Sequence, residues 1–144
     1  MSPDILLGIE VHADAATIVD ALTTEKGLSS FWTSSTTAEP VVGSEARFGF
    51  PDAPVPLRMR IDRIEPSEVA WTCLGDFPLW KDTTVTWSLS PEEEHGGTRV
   101  LFRHAGFPDE QPEWDSASIA STWAGILDRL KVLAETGSAE PYLG

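Results

Sequence analysis

A chain of 144 residues is the size of one domain, and it can bury about 70% of its unfolded surface without disulfides or metals to staple it. Its formal net charge is −13, with three Lys and seven Arg, so nucleic acid and an anionic membrane surface are both excluded as partners by repulsion. The single cysteine, Cys73, rules out an internal disulfide and a cysteine-built metal site, and no apolar run approaches the roughly 18 residues of a membrane span.

The first element is a strand. Ile5 to His12 ends in strict alternation, with Leu7, Ile9 and Val11 on one face and Glu10 and His12 on the other. Asp14 then caps a short helix from Ala15 to Leu22, whose apolar stripe is Ile18, Ala21 and Leu22. Gly27 is expected to break it before a second helical turn, Leu28 to Trp32. From Thr33 to Arg103 the signals are strands and turns: a weak strand over 33–37, then 45–50, 55–65, 69–74, 83–89 and 98–104. Leu57, Met59 and Ile61 share a face, but Ile64 is out of phase with them, which predicts a bulge near Asp62-Arg63. Pro91 to Gly97, acidic and ending in Gly-Gly, reads as a hairpin loop.

The last segment changes period from two to 3.6 residues. Ile119, Trp123, Ile126, Leu127, Leu130 and Leu133 fall on one stripe of a helix that starts between Pro112 and Ser118 and ends by Gly137. Residues 138–144 read as a loose tail. Six or seven strands joined by short turns form an antiparallel sheet, and such a sheet buries one face. Only the final helix is long and apolar enough to cover that face. The expected class is α+β, a single domain with a curved sheet around a long helix and a cavity between them.

No phosphate loop, dinucleotide fingerprint, zinc-binding His pair or nucleophile elbow occurs, so no cofactor and no metal are expected. Six Trp and six Phe suit either a core or the wall of a ligand cavity. The candidate lining is Trp32, Phe48, Met59, Trp71, Trp87, Phe102, His104, Phe107, Trp123 and Leu127. His104 ends the last strand on the face of Val100 and Phe102. It is either a ligand hydrogen-bonding group and general base, or a satisfied histidine that holds the strand end. Arg47 alternates with Phe48, so one of the two points inward; an inward Arg47 would anchor an anionic ligand. Glu10 and His12 are either an acid–base couple or an outer-face pair in solvent. His95 sits in the polar hairpin, where solvent is expected around it.

Several stretches carry a family resemblance. They are Ala13-Asp14-Ala15 with Ala21-Leu22-Thr23, Phe31-Trp32, Val42-Gly43 with Arg47-Phe48, and Ile64-Glu65-Pro66 with Val69-Ala70-Trp71. Gly97 to Phe107 is the most specific, and Trp123 to Leu130 comes last. In order and spacing they resemble the START-like (SRPBCC) superfamily, and within it the family related to the C-terminal domain of the activator of heat-shock protein 90 ATPase. Two departures stand out: one Gly near Val42 where relatives often have two, and Thr122 where a Gly is frequent, which narrows the room beside Trp123. The resemblance implies a helix-grip fold with an internal pocket. Together with the aromatic count it points first to a binding protein for a hydrophobic or aromatic small molecule; with no leader or span in the sequence a cytoplasmic protein is expected, and a monomer and a homodimer both stay open. A cyclase- or hydrolase-like enzyme and a chaperone-associated interaction module are the alternatives it leaves open.

Overall fold

The structure is a computed structural model and describes residues 4–50, 54–75, 80–94, 96–107 and 113–142, the side chains of 113 and 114 excepted. Its elements in chain order are β1 (Ile5–Val11), α1 (Ala15–Thr23), α2 (Glu25–Phe31), β2 (Thr36–Thr37), β3 (Glu45–Phe48), β4 (Leu57–Glu65), β5 (Glu68–Cys73), β6 (Thr84–Pro91), β7 (Thr98–Ala105) and α3 (Glu113–Thr136). The seven strands form one curved antiparallel sheet in the order β1-β7-β6-β5-β4-β3-β2.

Alternation decides which side chains enter the core. In β5 the inward set is Val69, Trp71 and Cys73, in β6 Val85, Trp87 and Leu89, and in β7 Val100, Phe102 and His104, all buried. Each large side chain so buried contributes about 1.5–3 kcal/mol of transfer free energy. The expected bulge is present: the β4–β5 register shifts between Ile61 and Arg63. Asp62 and Arg63 both face outward as a result, and Ile64 turns back toward the core.

The helices begin where side-chain caps are available. Asp14 Oδ1 accepts the Thr17 N–H at 3.0 Å to open α1, and Thr24 Oγ1 accepts the Gly27 N–H at 3.1 Å to open α2. Gly27 therefore does not break a helix; it lies inside α2 and is buried. The chain turns at Thr24 because that residue caps one helix and ends the other.

The C-terminal half of α3 fastens onto the edge strand β1. Lys131 Nζ donates to the Glu10 carbonyl at 2.6 Å, and the His12 N–H donates to Glu135 Oε2 at 2.8 Å. The two side chains pair with each other at 2.8 Å, so an ion pair takes the place of a neighbouring strand. The tail is docked rather than loose over its described part. The Tyr142 N–H donates to the Phe31 carbonyl at 3.1 Å, Arg129 donates to the carbonyls of Glu140 and Pro141, and the Tyr142 ring packs beside Gly125. No helix among the described residues is long and apolar enough to cross a membrane.

Candidate functional site

The inner face of the sheet and the facing side of α3 meet in a cluster of rings. Trp32, where α2 ends, packs on Phe48 at 4.2 Å between ring centres, on Trp123 at 5.0 Å and parallel to Trp71 at 6.2 Å. Trp71 meets Trp87 edge-on at 5.6 Å, Trp87 meets Phe102 at 4.9 Å, and Phe102 meets Trp123 at 4.6 Å. Met59 and Leu127 are buried with them. All ten side chains expected to line a cavity thus share one region, and in this conformation they are buried and the rings pack on one another.

Two atoms in the cluster stand out chemically. The indole Nε1–H groups of Trp71 and Trp87 are buried and have no hydrogen-bond partner among the described residues. An indole is a donor only, so neither can be relieved by a change of tautomer. Leaving such a donor dry costs about 1–3 kcal/mol, and Trp is normally used in a core where its N–H finds an acceptor.

His104 sits at the other end of the cluster, fully buried, with both ring nitrogens engaged. Trp123 Nε1–H donates to His104 Nδ1 at 3.1 Å, so Nδ1 carries a lone pair and the proton is on Nε2. That proton is directed at Thr83 Oγ1, 2.9 Å away, whose own hydroxyl donates to the Trp80 carbonyl at 2.6 Å. The chain of donors runs without a gap from α3 to the turn before β6. Asp82, in the left-handed region at φ 64, forms that turn and presents Thr83 to the imidazole. Burial drives the His104 pKa down from 6.5 to about 3. The ring is therefore neutral at physiological pH, and its one basic nitrogen is already occupied. Held this way, His104 is a tie between sheet and helix. It could act as a base only after Trp123 moved away.

Trp80 and Thr83 carry part of this arrangement and do not stand out in the sequence. Trp80 is half-buried, edge-on to His104 at 4.6 Å and stacked on Trp123 at 6.0 Å, and the Phe107 ring packs on the imidazole at 4.4 Å. Cys73 lies nearby, buried; desolvation pushes its thiol up to about 11 against a Thr83 hydrogen bond that pulls it down. Such a thiol is a poor nucleophile.

The remaining candidates lie elsewhere. Of the Arg47 and Phe48 pair it is Phe48 that points inward; Arg47 is on the outer face beside Glu45, with its side chain 58% exposed. An inward anion anchor at Arg47 is thereby corrected, because the strand's period of two places Ala46 and Phe48 in the core. Glu10 and His12 are exposed, and the Glu10 carboxylate faces Arg99 at 3.4 Å. His95 lies outside the described residues, and among the described residues no three of His, Cys, Asp and Glu converge as metal ligands would.

A curved antiparallel sheet closed over a long C-terminal helix, with a ring-filled interior, defines a protein of the helix-grip class. The chain belongs to the Activator of Hsp90 ATPase homolog 1-like family, which it matches over residues 12–135. Its fold is similar to that of the Aha1 dimer from Colwellia psychrerythraea, at 28% identity and a TM-score of 0.81 over 94% of this chain and 98% of that one. It is also similar to SSP2350 from Staphylococcus saprophyticus, at 23% identity and a TM-score of 0.77 over 95% of both chains. A third similar structure is DynU16, a protein in the dynemicin biosynthetic locus, at 21% identity and a TM-score of 0.76 over 99% of this chain and 51% of that one. No curated protein matches the sequence.

Proposed function

We propose that this protein binds a largely apolar, planar small molecule bearing acceptor oxygens, held between the concave face of the sheet and α3. The observation that carries the reading is the pair of unpartnered indole N–H groups on Trp71 and Trp87. A core selected for stability alone favours apolar side chains without a polar atom, and uses Trp where its N–H reaches an acceptor. Local rules of this kind are broken where function requires it. A ligand carbonyl or phenolate oxygen would accept both protons, and the surrounding rings would cover its apolar faces. Entry would require Trp80 and Trp123 to swing aside, so part of the binding energy would be spent on that rearrangement.

The test uses naphthoquinone as probe and naphthalene as its oxygen-free counterpart, followed through the indole N–H resonances of nitrogen-labelled protein. Naphthoquinone is expected to move the Trp71 and Trp87 resonances, and naphthalene to move them less. Trp71→Phe is expected to weaken naphthoquinone binding by about tenfold, the equivalent of one hydrogen bond. Indole resonances unmoved by about 1 mM naphthoquinone, a weak-binding ceiling, would count against an acceptor-bearing ligand of this class.

A further inference from the structure

The outer face of the sheet at its β1 end sets two exposed leucines between ion pairs. Three rows cross from β1 to β7: Leu6 beside Arg103, Gly8 beside Leu101, and Glu10 beside Arg99. Leu6 and Leu101 are large apolar side chains left 52% and 45% exposed. Gly8, between Leu6 and Glu10 on the same strand, has no side chain at all. The result is an open groove of about 420 Å³ lined by Gly8, Glu10, Ser90, Arg99 and Leu101. A projecting Leu101 therefore stands directly beside the hollow left by Gly8.

We propose that this face pairs with the same face of a second copy of the chain, about a two-fold axis running along the strands between β1 and β7. Such an axis exchanges the two strands. It lowers Leu101 of each copy into the Gly8 hollow of the other, in both directions at once, as an isologous contact requires. The same operation sets Glu10 over the other copy's Arg99 and Arg99 over its Glu10, so the ion pair now at 3.4 Å within one chain is met by its complement. Charge singles out a second copy as the occupant. Two chains of net charge −13 repel each other unless they meet where charge is locally balanced. Here Arg99 balances Glu10 at 3.4 Å and Arg103 balances Asp4 at 2.9 Å.

The inference is independent of any ligand, and its test is sedimentation equilibrium on the full chain. The wild type is expected to sediment as a dimer at tens of micromolar. Gly8→Val fills the hollow without disturbing the fold, because a Cβ there meets nothing nearer than the Val100 carbonyl oxygen at 3.9 Å. It is expected to weaken the dimer by about tenfold or more while leaving the circular dichroism and thermal transition intact, and Leu101→Ser to do the same by removing the projection. A wild type that stays monomeric to about 1 mM overturns the proposal, leaving the face to a different partner. A dimer indifferent to both substitutions overturns it too, because it would be formed elsewhere.

Discussion

The Trp123 indole N–H donates a hydrogen bond to His104 Nδ1 at 3.1 Å, and this bond joins the centre of α3 to the end of β7. It also fixes how His104 answers to acid. The native ring is neutral with a pKa of about 3, whereas an unfolded histidine titrates near 6.5. Below pH 6.5 the unfolded chain takes up a proton that the native chain refuses. Stability from this group is therefore complete above that pH and is lost as the pH falls toward 3. The loss from this group is roughly 2 kcal/mol by about pH 5. His104→Gln retains one acceptor and one donor but does not titrate. It should be less stable than the wild type at about pH 7.5 by roughly 1–3 kcal/mol, the gap closing by roughly 2 kcal/mol at about pH 5. Urea unfolding at both pH values measures it; parallel losses in the two proteins would mean that His104 is already charged in the native state.

Gly27 gives a second expected outcome. A Cβ at this position would lie 2.5 Å from the Cα of Ala21, inside the backbone of α1. Backbone cannot yield as a flexible side chain does. Gly27→Ala gains about 1 kcal/mol of helix propensity and still loses net stability, by about 2 kcal/mol, because α1 and α2 must separate. Thermal unfolding reads the sign directly. A stabilised variant would show that the two helices are free to move apart.

Gly27 also marks where sequence pattern stops informing. Periodicity located every strand from 45 onward and the α3 stripe, and the phase of Ile64 located the bulge, because these follow from which side chains a period of two or 3.6 buries. It could not tell a glycine that ends a helix from one that lets two helices touch, since both are simply Gly. Nor could it say whether Arg47 or Phe48 was the inner residue, because alternation defines two faces without ranking them. Thr83 went unnoticed for a related reason: its bond to His104 joins residues 21 apart through a left-handed turn at Asp82. The orphaned indoles of Trp71 and Trp87 needed the packed core to be visible, because a missing acceptor has no signature in the chain.

The tail offers the last case, and the means to measure it. Residues 138–142 are polar and contain a proline, which reads as coil. What docks them is a gap on the helix: a Cβ on Gly125 would meet Tyr142 Cε2 at 2.6 Å, and Arg129 lies over the same ring at 5.7 Å from its centre. Tyr142→Ala should therefore cost about 1 kcal/mol, from lost packing and the lost cation–ring contact. Gly125→Ala tests the same contact from the other side. In an otherwise free helix it would gain about 1 kcal/mol. With Tyr142 present that gain is cancelled, since the ring must leave its seat; with Tyr142→Ala it appears in full. The two substitutions together should then show a coupling of about 1 kcal/mol in urea unfolding. Strict additivity would mean that Tyr142 does not rest on Gly125 in solution, and the tail would be free after all.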